Sequence, residues 1–345
     1  MVHASVAQSS AGPEKAAGEG LARREFLLEI RDLRLVFDTY RGIVKALEGV
    51  SLAARPGEAV AIVGETGCGK SATARAIMGF VDPPARVEGG EILLEGRNVL
   101  AMSAEELREM RGRHASFVFQ EAKKALNPTA TVGSQLIEAA ECALRCSKRE
   151  ARAAAAEALA NVGLADAERI MASYSFELSG GMAQRVMIAI AMVGGAKLIV
   201  ADEPTSALDV SIQAQILKLL GEIRQRTGSA LILITHDLGV AAENCETINV
   251  MYAGRVVESG PVLSVFTEPA HPYTARLLAA LPSPERDELA AIPGTVPDLV
   301  APPPGCRFSN RCDRATDLCR SVRPDDVPVA PSHRVACHHP LRGAA

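Results

Sequence analysis

The sequence predicts an α/β fold with a mostly parallel sheet, an antiparallel β subdomain, a helical insert and a C-terminal Cys-rich extension. Three observations lead to this prediction. A buried-strand pattern at residues 59–63 runs through a glycine-rich loop into a helical pattern at residues 71–78. After residue 184, apolar strand patterns alternate with helical patterns, which is typical of a parallel sheet covered on both faces. Between these regions, residues 126–178 have helical patterns and no strand pattern, which indicates an inserted helical unit.

The composition is that of a globular protein. With 345 residues, 48% hydrophobic and 23% charged, the chain is long enough for one large domain with an appendage, or for two domains. A net charge of −4 argues against nucleic acid as the main partner, because nucleic-acid-binding surfaces are usually basic. No apolar run approaches the length of about 18 to 20 residues that a membrane span needs. The N-terminus also lacks the apolar core of a signal peptide, so we expect a cytoplasmic protein.

The N-terminal quarter begins with a predicted disordered tail over residues 1–25, which are small and polar without periodicity. Strand patterns follow, and they supply the antiparallel subdomain; they lie at residues 33–37, 44–47, 50–53 and 91–95. Tyr40 lies in a turn between two of these strands. Tyr40 is the candidate to stack on an adenine ring, with Phe37 as the fallback, and the alternative for Tyr40 is an ordinary surface aromatic.

The glycine-rich loop at residues 64–71 reads G-E-T-G-C-G-K-S and fits the phosphate-binding pattern G-x-x-x-x-G-K-[ST]. Its glycines let backbone N–H groups converge on phosphate oxygens, and the helix N-terminus adds a partial positive charge. We expect Lys70 to reach the β- and γ-phosphates and the Ser71 hydroxyl to ligate Mg²⁺. The candidate nucleotide-binding residues of this stretch are Gly64, Glu65, Thr66, Gly67, Cys68, Gly69, Lys70, Ser71 and Ala72.

Helix signals continue along the chain. Two capping boxes, Ser103 with Glu106 and Ser147 with Glu150, predict helix starts. Further helices are predicted at residues 131–144, 185–193 and 212–227, and strands at 115–120, 197–201 and 230–234. Prolines multiply beyond residue 268, so residues 282–304 are predicted to be an extended linker. The last forty residues are Cys- and Arg-rich and offer little core-forming material.

Two carboxylates, Asp202 and Glu203, follow the buried strand at residues 197–201, at the edge of the sheet where ligands bind in open α/β folds. Asp202 is placed to hold Mg²⁺ through water, and Glu203 to orient or deprotonate the attacking water in phosphoryl transfer. Gln120 and His236 each end a buried strand. If those two strands are neighbours, both side chains point at the γ-phosphate. The alternatives are solvated carboxylates and a structural or surface histidine.

The sequence L-S-G-G-M at residues 178–182 completes a set of motifs. Together with the phosphate loop, Gln120, Asp202–Glu203, residues 206–209 and His236, in this order and spacing, it resembles the ATP-binding subunits of ABC transporters, which are P-loop NTPases. The resemblance implies an ATPase domain over residues 26–268, with a helical subdomain at about 126–180.

The same resemblance implies roles for individual residues. In a head-to-tail dimer, the phosphate loop of one subunit and the Ser179, Gly180 and Gly181 stretch of the other would sandwich each ATP. The resemblance implies catalytic roles for Glu203, His236 and Gln120. It implies that Ser71, Gln120 and Asp202 ligate Mg²⁺.

The resemblance narrows to the ATPases of oligopeptide/dipeptide importers through residues 119–128, 177–190 and 271–274 and through the tail. It implies ATP-driven import of dipeptides or oligopeptides, by a protein bound peripherally to the cytoplasmic face of the cell inner membrane. The implied partners are two transmembrane permease subunits, a sister ATP-binding subunit in a heterodimer, and a periplasmic or extracellular substrate-binding protein. Residues 121–124 (E-A-K-K) depart from the family pattern, which leaves the identity of the membrane partner open.

Two alternatives remain open from the sequence. The same machine could carry another cargo, such as nickel, glycosides or antimicrobial peptides. A soluble ABC ATPase acting on ribosomes or DNA is disfavoured, because such proteins usually carry two cassettes in one chain or a long coiled-coil insert.

Four cysteines cluster in the extension predicted over residues 269–345, at the spacing C-x5-C-x6-C-x17-C; they are Cys306, Cys312, Cys319 and Cys337. Disulfides are not expected in a cytoplasmic chain, whereas four thiolates in a core-poor segment could gain folding energy from a metal. A tail without metal is the alternative. Four cysteine ligands suit zinc or a cluster. Family members with such a tail carry a [4Fe–4S] cluster, so the resemblance favours iron–sulfur over zinc.

Overall fold

The structure, a computed structural model, describes residues 25–281 and 292–341. The strands in these ranges are β1 (Leu28–Thr39), β2 (Gly42–Ala54), β3 (Ala59–Val63), β4 (Ala85–Leu94), β5 (Arg97–Asn98), β6 (Ala115–Val118), β7 (Leu198–Asp202), β8 (Ala230–Thr235), β9 (Thr247–Tyr252), β10 (Arg255–Pro261), β11 (Asp326–Ala330) and β12 (His333–Ala336). The predicted tail over residues 1–24 and residues 282–291 of the predicted linker lie outside the described ranges.

The helices in the same ranges are α1 (Lys70–Ile77), α2 (Ala104–Arg113), α3 (Ala122–Ala125), α4 (Val132–Leu144), α5 (Lys148–Asn161), α6 (Ala167–Ala172), α7 (Gly180–Met192), α8 (Val210–Thr227), α9 (Leu238–Asn244), α10 (Val262–Thr267), α11 (Pro272–Ala279) and α12 (Asp317–Ser321). Both predicted capping boxes are present. Ser103 caps α2 with Glu106, and Ser147 caps α5 with Glu150.

The strands of the described residues form two sheets. A four-stranded antiparallel sheet has the order β2-β1-β4-β5, and an eight-stranded sheet has the order β11-β12-β10-β9-β3-β8-β7-β6. In the larger sheet, β9, β3, β8, β7 and β6 run parallel, and β10, β12 and β11 extend one side in antiparallel pairing. Strands β3, β7 and β8 are buried throughout, as the continuous apolar runs of a covered parallel sheet require. The predicted α/β fold is confirmed.

Strand β2 differs from the sequence prediction, which divided it into two short strands. The pairing with β1 shifts register between Leu33 opposite Val50 and Arg34 opposite Glu48. Gly49 lies at this irregularity with φ of 76°, a left-handed conformation that glycine adopts without strain. The strand continues through the irregularity, but the alternation of buried and exposed side chains breaks there, which explains the wrong division.

Helices α3 to α7 lie between β6 and β7, and the described residues in this interval contain no strand of either sheet. Their buried side chains share one hydrophobic core with α8 and with one face of the parallel sheet; examples are Leu136, Leu159, Val186 and Leu220. The helical pattern read from the sequence is therefore confirmed. Through this core α7 packs against the parallel sheet.

The C-terminal segment, residues 292–341, corrects a second prediction. We expected little core-forming material here, yet β12 pairs with β10, with Glu258 opposite Val335, and β11 pairs with β12. Phe308 is fully buried and packs its ring against Tyr252 and Tyr273. A few well-placed apolar residues thus fasten the segment to the main sheet, which local hydrophobicity alone did not indicate.

Among the helices that the structure describes, none is long and apolar enough to cross a bilayer.

Candidate nucleotide-binding site

The phosphate loop connects the carboxyl end of β3 to the first turn of α1. At Gly64, φ is 150° and an added Cβ would lie 2.1 Å from the Met251 carbonyl oxygen. At Gly69, φ is 104° and an added Cβ would lie 2.7 Å from the Leu47 side chain. Because any side chain would collide at these two positions, the loop can take this tight path only with glycine.

Lys70 occupies the centre of the loop. Its residue is only 5% exposed, and its Nζ donates hydrogen bonds to the carbonyl oxygens of Gly64 at 2.7 Å and Glu65 at 3.1 Å. A buried ammonium group needs such partners, since an unpaired buried charge is costly. The positive charge is thereby held inside the loop, where phosphate oxygens could bind it.

Ser71 and Asp202 form the pair expected to hold Mg²⁺. The Ser71 hydroxyl donates to Asp202 Oδ1 at 3.0 Å. Burial raises the pKa of Asp202, and the hydrogen bond from Ser71 partly opposes that effect. A carboxylate and a hydroxyl oxygen at this separation are ligands of the kind that Mg²⁺ prefers.

The three predicted catalytic residues meet at the carboxylate of Glu203. Gln120 Nε2 donates to Glu203 Oε2 at 3.3 Å, and His236 Nδ1 lies 3.4 Å from the same oxygen. The condition that we set for Gln120 and His236, neighbouring strands, is not met, because β7 lies between β6 and β8. The two side chains converge all the same, since the Glu203 side chain at the end of β7 fills the space between them.

Lys70, Ser71, Gln120, Glu203 and His236 line one open cavity of about 540 Å³, which is within the size range of ligand pockets. Its lining includes Thr66, Gly67, Gly69, Lys70, Ser71, Ala72, Gln120, Glu203 and His236, together with Phe37, Val44, Ala46 and Leu299. Phe37 therefore faces the cavity. Tyr40 is fully exposed in the turn after β1 and is not among the residues that line the cavity.

The L-S-G-G-M stretch lies at the start of α7. Ser179 is the N-cap residue, and its hydroxyl accepts a hydrogen bond from the Met182 N–H at 3.2 Å. Ser179, Gly180 and Gly181 are not among the residues that line the cavity of their own chain.

Two loop residues point away from the cavity. Cys68 is buried, and burial raises the pKa of its thiol. Glu65 turns its carboxylate to Arg311, which donates at 2.7 and 3.0 Å, and its N–H donates to the Tyr273 hydroxyl at 3.0 Å. Sequence reasoning missed Arg311, Tyr273 and Leu299, because nothing in the local pattern marks a contact between segments so far apart in the chain.

The four clustered cysteines line a second, small cavity next to Phe308; they are Cys306, Cys312, Cys319 and Cys337. Burial raises the pKa of Cys306, Cys312 and Cys337, the last to about 11. For each of these three thiols, a hydrogen bond from the backbone N–H two residues further along partly opposes this rise in pKa. Within residues 25–281 and 292–341, no group of three or more His, Cys, Asp or Glu side chains stands in a metal-binding arrangement.

Two stretches of the chain match known protein families. Residues 47–206 match the ABC transporter family, and residues 257–319 match the C-terminal region of the oligopeptide/dipeptide transporter family. The chain is 44% identical to a probable peptide ABC transporter ATP-binding protein, y4tR, of Sinorhizobium fredii, over 91% of this chain and 95% of that protein. It is 44% identical to the dipeptide transport ATP-binding protein DppD of Bacillus subtilis, over 91% and 94% of the two chains.

Solved structures agree with this assignment. The ATP-binding cassette MJ0796, solved as a dimer in a post-hydrolysis state with ADP and Pi, superposes with a TM-score of 0.60 at 28% identity, over 68% of this chain and 98% of that one. CbiO1 of Clostridium perfringens, part of an ABC transporter complex, superposes with a TM-score of 0.58 at 28% identity, over 70% and 91% of the two chains. The chain therefore belongs to the ABC transporter ATP-binding subunits, within the oligopeptide/dipeptide transporter family.

Proposed function

We propose that this ATPase powers the import of dipeptides or oligopeptides across the cytoplasmic membrane. The observation that carries the proposal is the extent of similarity to peptide-transport subunits, 44% identity over nine-tenths of both chains, including the C-terminal region. The partners in this proposal are two membrane permease subunits, a sister ATP-binding subunit and an extracellular or periplasmic substrate-binding protein. The chain would bind peripherally at the cytoplasmic face of the membrane.

Uptake measured in a reconstituted transporter tests this proposal. The chain is co-expressed with candidate permease, sister ATP-binding and substrate-binding subunits from the same genome, and ATP-dependent uptake into vesicles is measured with a labelled dipeptide and a labelled oligopeptide. We expect uptake of at least one peptide, abolished by Lys70→Ala. Uptake of nickel or a glycoside with no uptake of either peptide would reject the peptide assignment and leave the ATPase assignment intact.

The nucleotide site is proposed to work through the phosphate loop, the two carboxylates at the end of β7, and Gln120 and His236. Lys70 and the loop N–H groups bind the phosphates, and Ser71 and Asp202 would hold Mg²⁺, which would supply positive charge to neutralise the phosphates. Glu203 receives the proton of the attacking water, and its contacts with Gln120 and His236 hold its carboxylate in place. Positioning and charge stabilisation are most of what phosphoryl transfer asks of a protein.

Phe37 is our preferred stacking partner for adenine, because its ring lines the cavity and Tyr40 lies outside that lining. The Ser179, Gly180 and Gly181 stretch is proposed to bind the nucleotide of a second subunit. Its position at the N-terminus of α7 suits an anion, and it does not line the cavity of its own chain. ATP would then close the dimer, and hydrolysis would reopen it.

The four clustered cysteines are proposed to hold a metal, as a [4Fe–4S] cluster or as zinc. The donor set fits, because four cysteine sulfurs, the usual ligands of such a cluster or of zinc, line one cavity. Such a group would cross-link Cys306 and Cys312 to Cys319 and Cys337 and so stabilise the segment. The four cysteine side chains would have to move closer together than they are in this structure to bind the metal.

Metal content of protein purified without oxygen tests this part. A brown protein that loses both iron and absorbance near 400 nm on Cys319→Ser supports a cluster, with Cys142→Ser as the matched control, since Cys142 is an exposed helical cysteine. A colourless protein with stoichiometric zinc would select zinc, and a protein with neither would reject the metal.

A further inference from the structure

Glu65 is fixed from three directions within the phosphate loop. The Tyr273 hydroxyl accepts from its N–H at 3.0 Å, Lys70 Nζ donates to its carbonyl oxygen at 3.1 Å, and Arg311 binds its carboxylate. Two of these partners, Tyr273 and Arg311, come from beyond the end of the parallel sheet. The conformation of the phosphate loop therefore depends on the C-terminal third of the chain.

Arg311 makes this contact with a guanidinium group that is itself buried, its side chain only 4% exposed. It donates to both Glu65 oxygens, to the Tyr252 hydroxyl at 3.2 Å, and to the carbonyl oxygens of Pro293 at 2.9 Å and Ile292 at 3.2 Å. Five hydrogen bonds in fixed directions leave the guanidinium little freedom. A two-point contact of arginine with a carboxylate adds geometric specificity to its strength.

The charge on Glu65 is the reason that this contact matters for the nucleotide. A carboxylate in the phosphate loop would repel a bound triphosphate and compete with it for Lys70, whose Nζ already touches the Glu65 backbone. In the structure the carboxylate is turned away from the cavity and paired with a positive charge. Charges near a partly buried site interact more strongly than charges in bulk water, so the pairing changes the field that the phosphates meet.

We propose that Arg311 is a positioning residue of the nucleotide site, which holds the Glu65 carboxylate neutralised and outside the phosphate-binding space. The C-terminal segment is then a working part of the ATPase. This inference rests on the proposed nucleotide site. Arg311 also lies one residue before Cys312, and its N–H donates to the Phe308 carbonyl at 2.9 Å, so the fold of the cysteine-rich loop sets its position.

Nucleotide affinity measured on the full chain tests the proposal, by displacement of a fluorescent ATP analogue with ATP, ADP and AMP in Mg²⁺. Arg311→Met should raise the Kd for ATP about tenfold, the size expected when a charge-assisted contact is lost. The increase should be smaller for ADP and smallest for AMP, and should shrink as ionic strength rises. Arg311→Lys, which keeps the charge without the two-point contact, should lie between Arg311→Met and the wild type.

The double variant Arg311→Met with Glu65→Gln separates charge from structure. If Arg311 acts by neutralising Glu65, the double variant should recover ATP affinity to within about threefold of wild type. An ATP affinity as poor in the double variant as in Arg311→Met, or an Arg311→Met affinity equal to wild type, would overturn the proposal. Where Arg311→Met does not fold, Arg311→Gln with and without Glu65→Gln gives the same comparison, because glutamine also removes the positive charge.

Two controls complete the design. Arg320 belongs to the same segment but pairs with Asp317 on the surface, so Arg320→Met should leave ATP affinity unchanged. Lys70→Ala tests the site itself. If Lys70→Ala binds ATP normally, the proposed nucleotide site fails; if it loses ATP while Arg311→Met does not, only the present inference fails.

Discussion

Replacement of Glu203 by glutamine tests the proposed chemistry most directly. The substitution keeps the size of the side chain, and an amide oxygen can still accept from Gln120 Nε2, which now donates to Glu203 Oε2 at 3.3 Å. An amide cannot, however, take a proton from water. A positioned base contributes about 10² to 10⁴ in rate, equivalent to about 3 to 5 kcal/mol of activation free energy. We therefore expect kcat to fall by about 10² to 10⁴ while ATP affinity stays within about threefold of wild type.

Phosphate release by the assembled transporter gives kcat, and equilibrium titration gives ATP affinity. Size-exclusion chromatography with ATP should show Glu203→Gln accumulating as a dimer, because hydrolysis no longer reopens it. Glu222→Gln is a matched control. Glu222 is exposed on α8, and its one ion pair within the described residues is with Lys218, at 3.8 Å. A kcat within about threefold of wild type would refute the assignment of Glu203 as base, and parallel loss of ATP affinity and kcat would assign Glu203 to binding instead.

Three further perturbations follow from the structure. Phe37→Ala should weaken ATP binding by about 1 kcal/mol, the worth of an aromatic stacking contact, whereas Tyr40→Ala should not; the reverse order in a titration would move the adenine to Tyr40. Phe308→Ala should lower the free energy of unfolding by about 3 to 5 kcal/mol, because it empties a buried aromatic site, and exposed Phe176→Ala is the control in thermal melts. The raised pKa of Asp202 means that it takes up a proton at a higher pH than an ordinary aspartate, so the gain in ATP affinity from Mg²⁺ should decline as the pH is lowered. A Mg²⁺ gain that stays constant while the fold persists would contradict this role.

The local features of this protein were predictable because they depend on residues close together in the chain. The phosphate loop is marked by glycines that alone tolerate its backbone, and both capping boxes at Ser103 and Ser147 form as their spacing indicates. Strands β3, β7 and β8 are continuous apolar runs, so their burial was evident from composition. The polar residues at the strand ends were likewise expected at one edge of the sheet.

The order of the strands was beyond the reach of such patterns. The sequence left open whether the strands that end at Gln120 and His236 are neighbours; in the structure β7 lies between them, and Glu203 contacts both side chains. A strand's own periodicity records which faces are buried and not which strand lies beside it. Only the assembled sheet brings Gln120 and His236 to the same carboxylate oxygen of Glu203.

The phosphate loop was recognisable from the sequence, because its glycines and Lys70 are adjacent in the chain. The partners of the two carboxylates were not, because Ser71 meets Asp202 across 131 residues and Gln120 meets Glu203 across 83. The tertiary structure decided what completes the site. Arg311 meets Glu65 across 246 residues, and Leu299 reaches the cavity wall from the C-terminal segment. Contacts of this kind depend on how strands β10 and β12 pair and how Phe308 packs, and such long-range packing leaves no periodic trace in the chain.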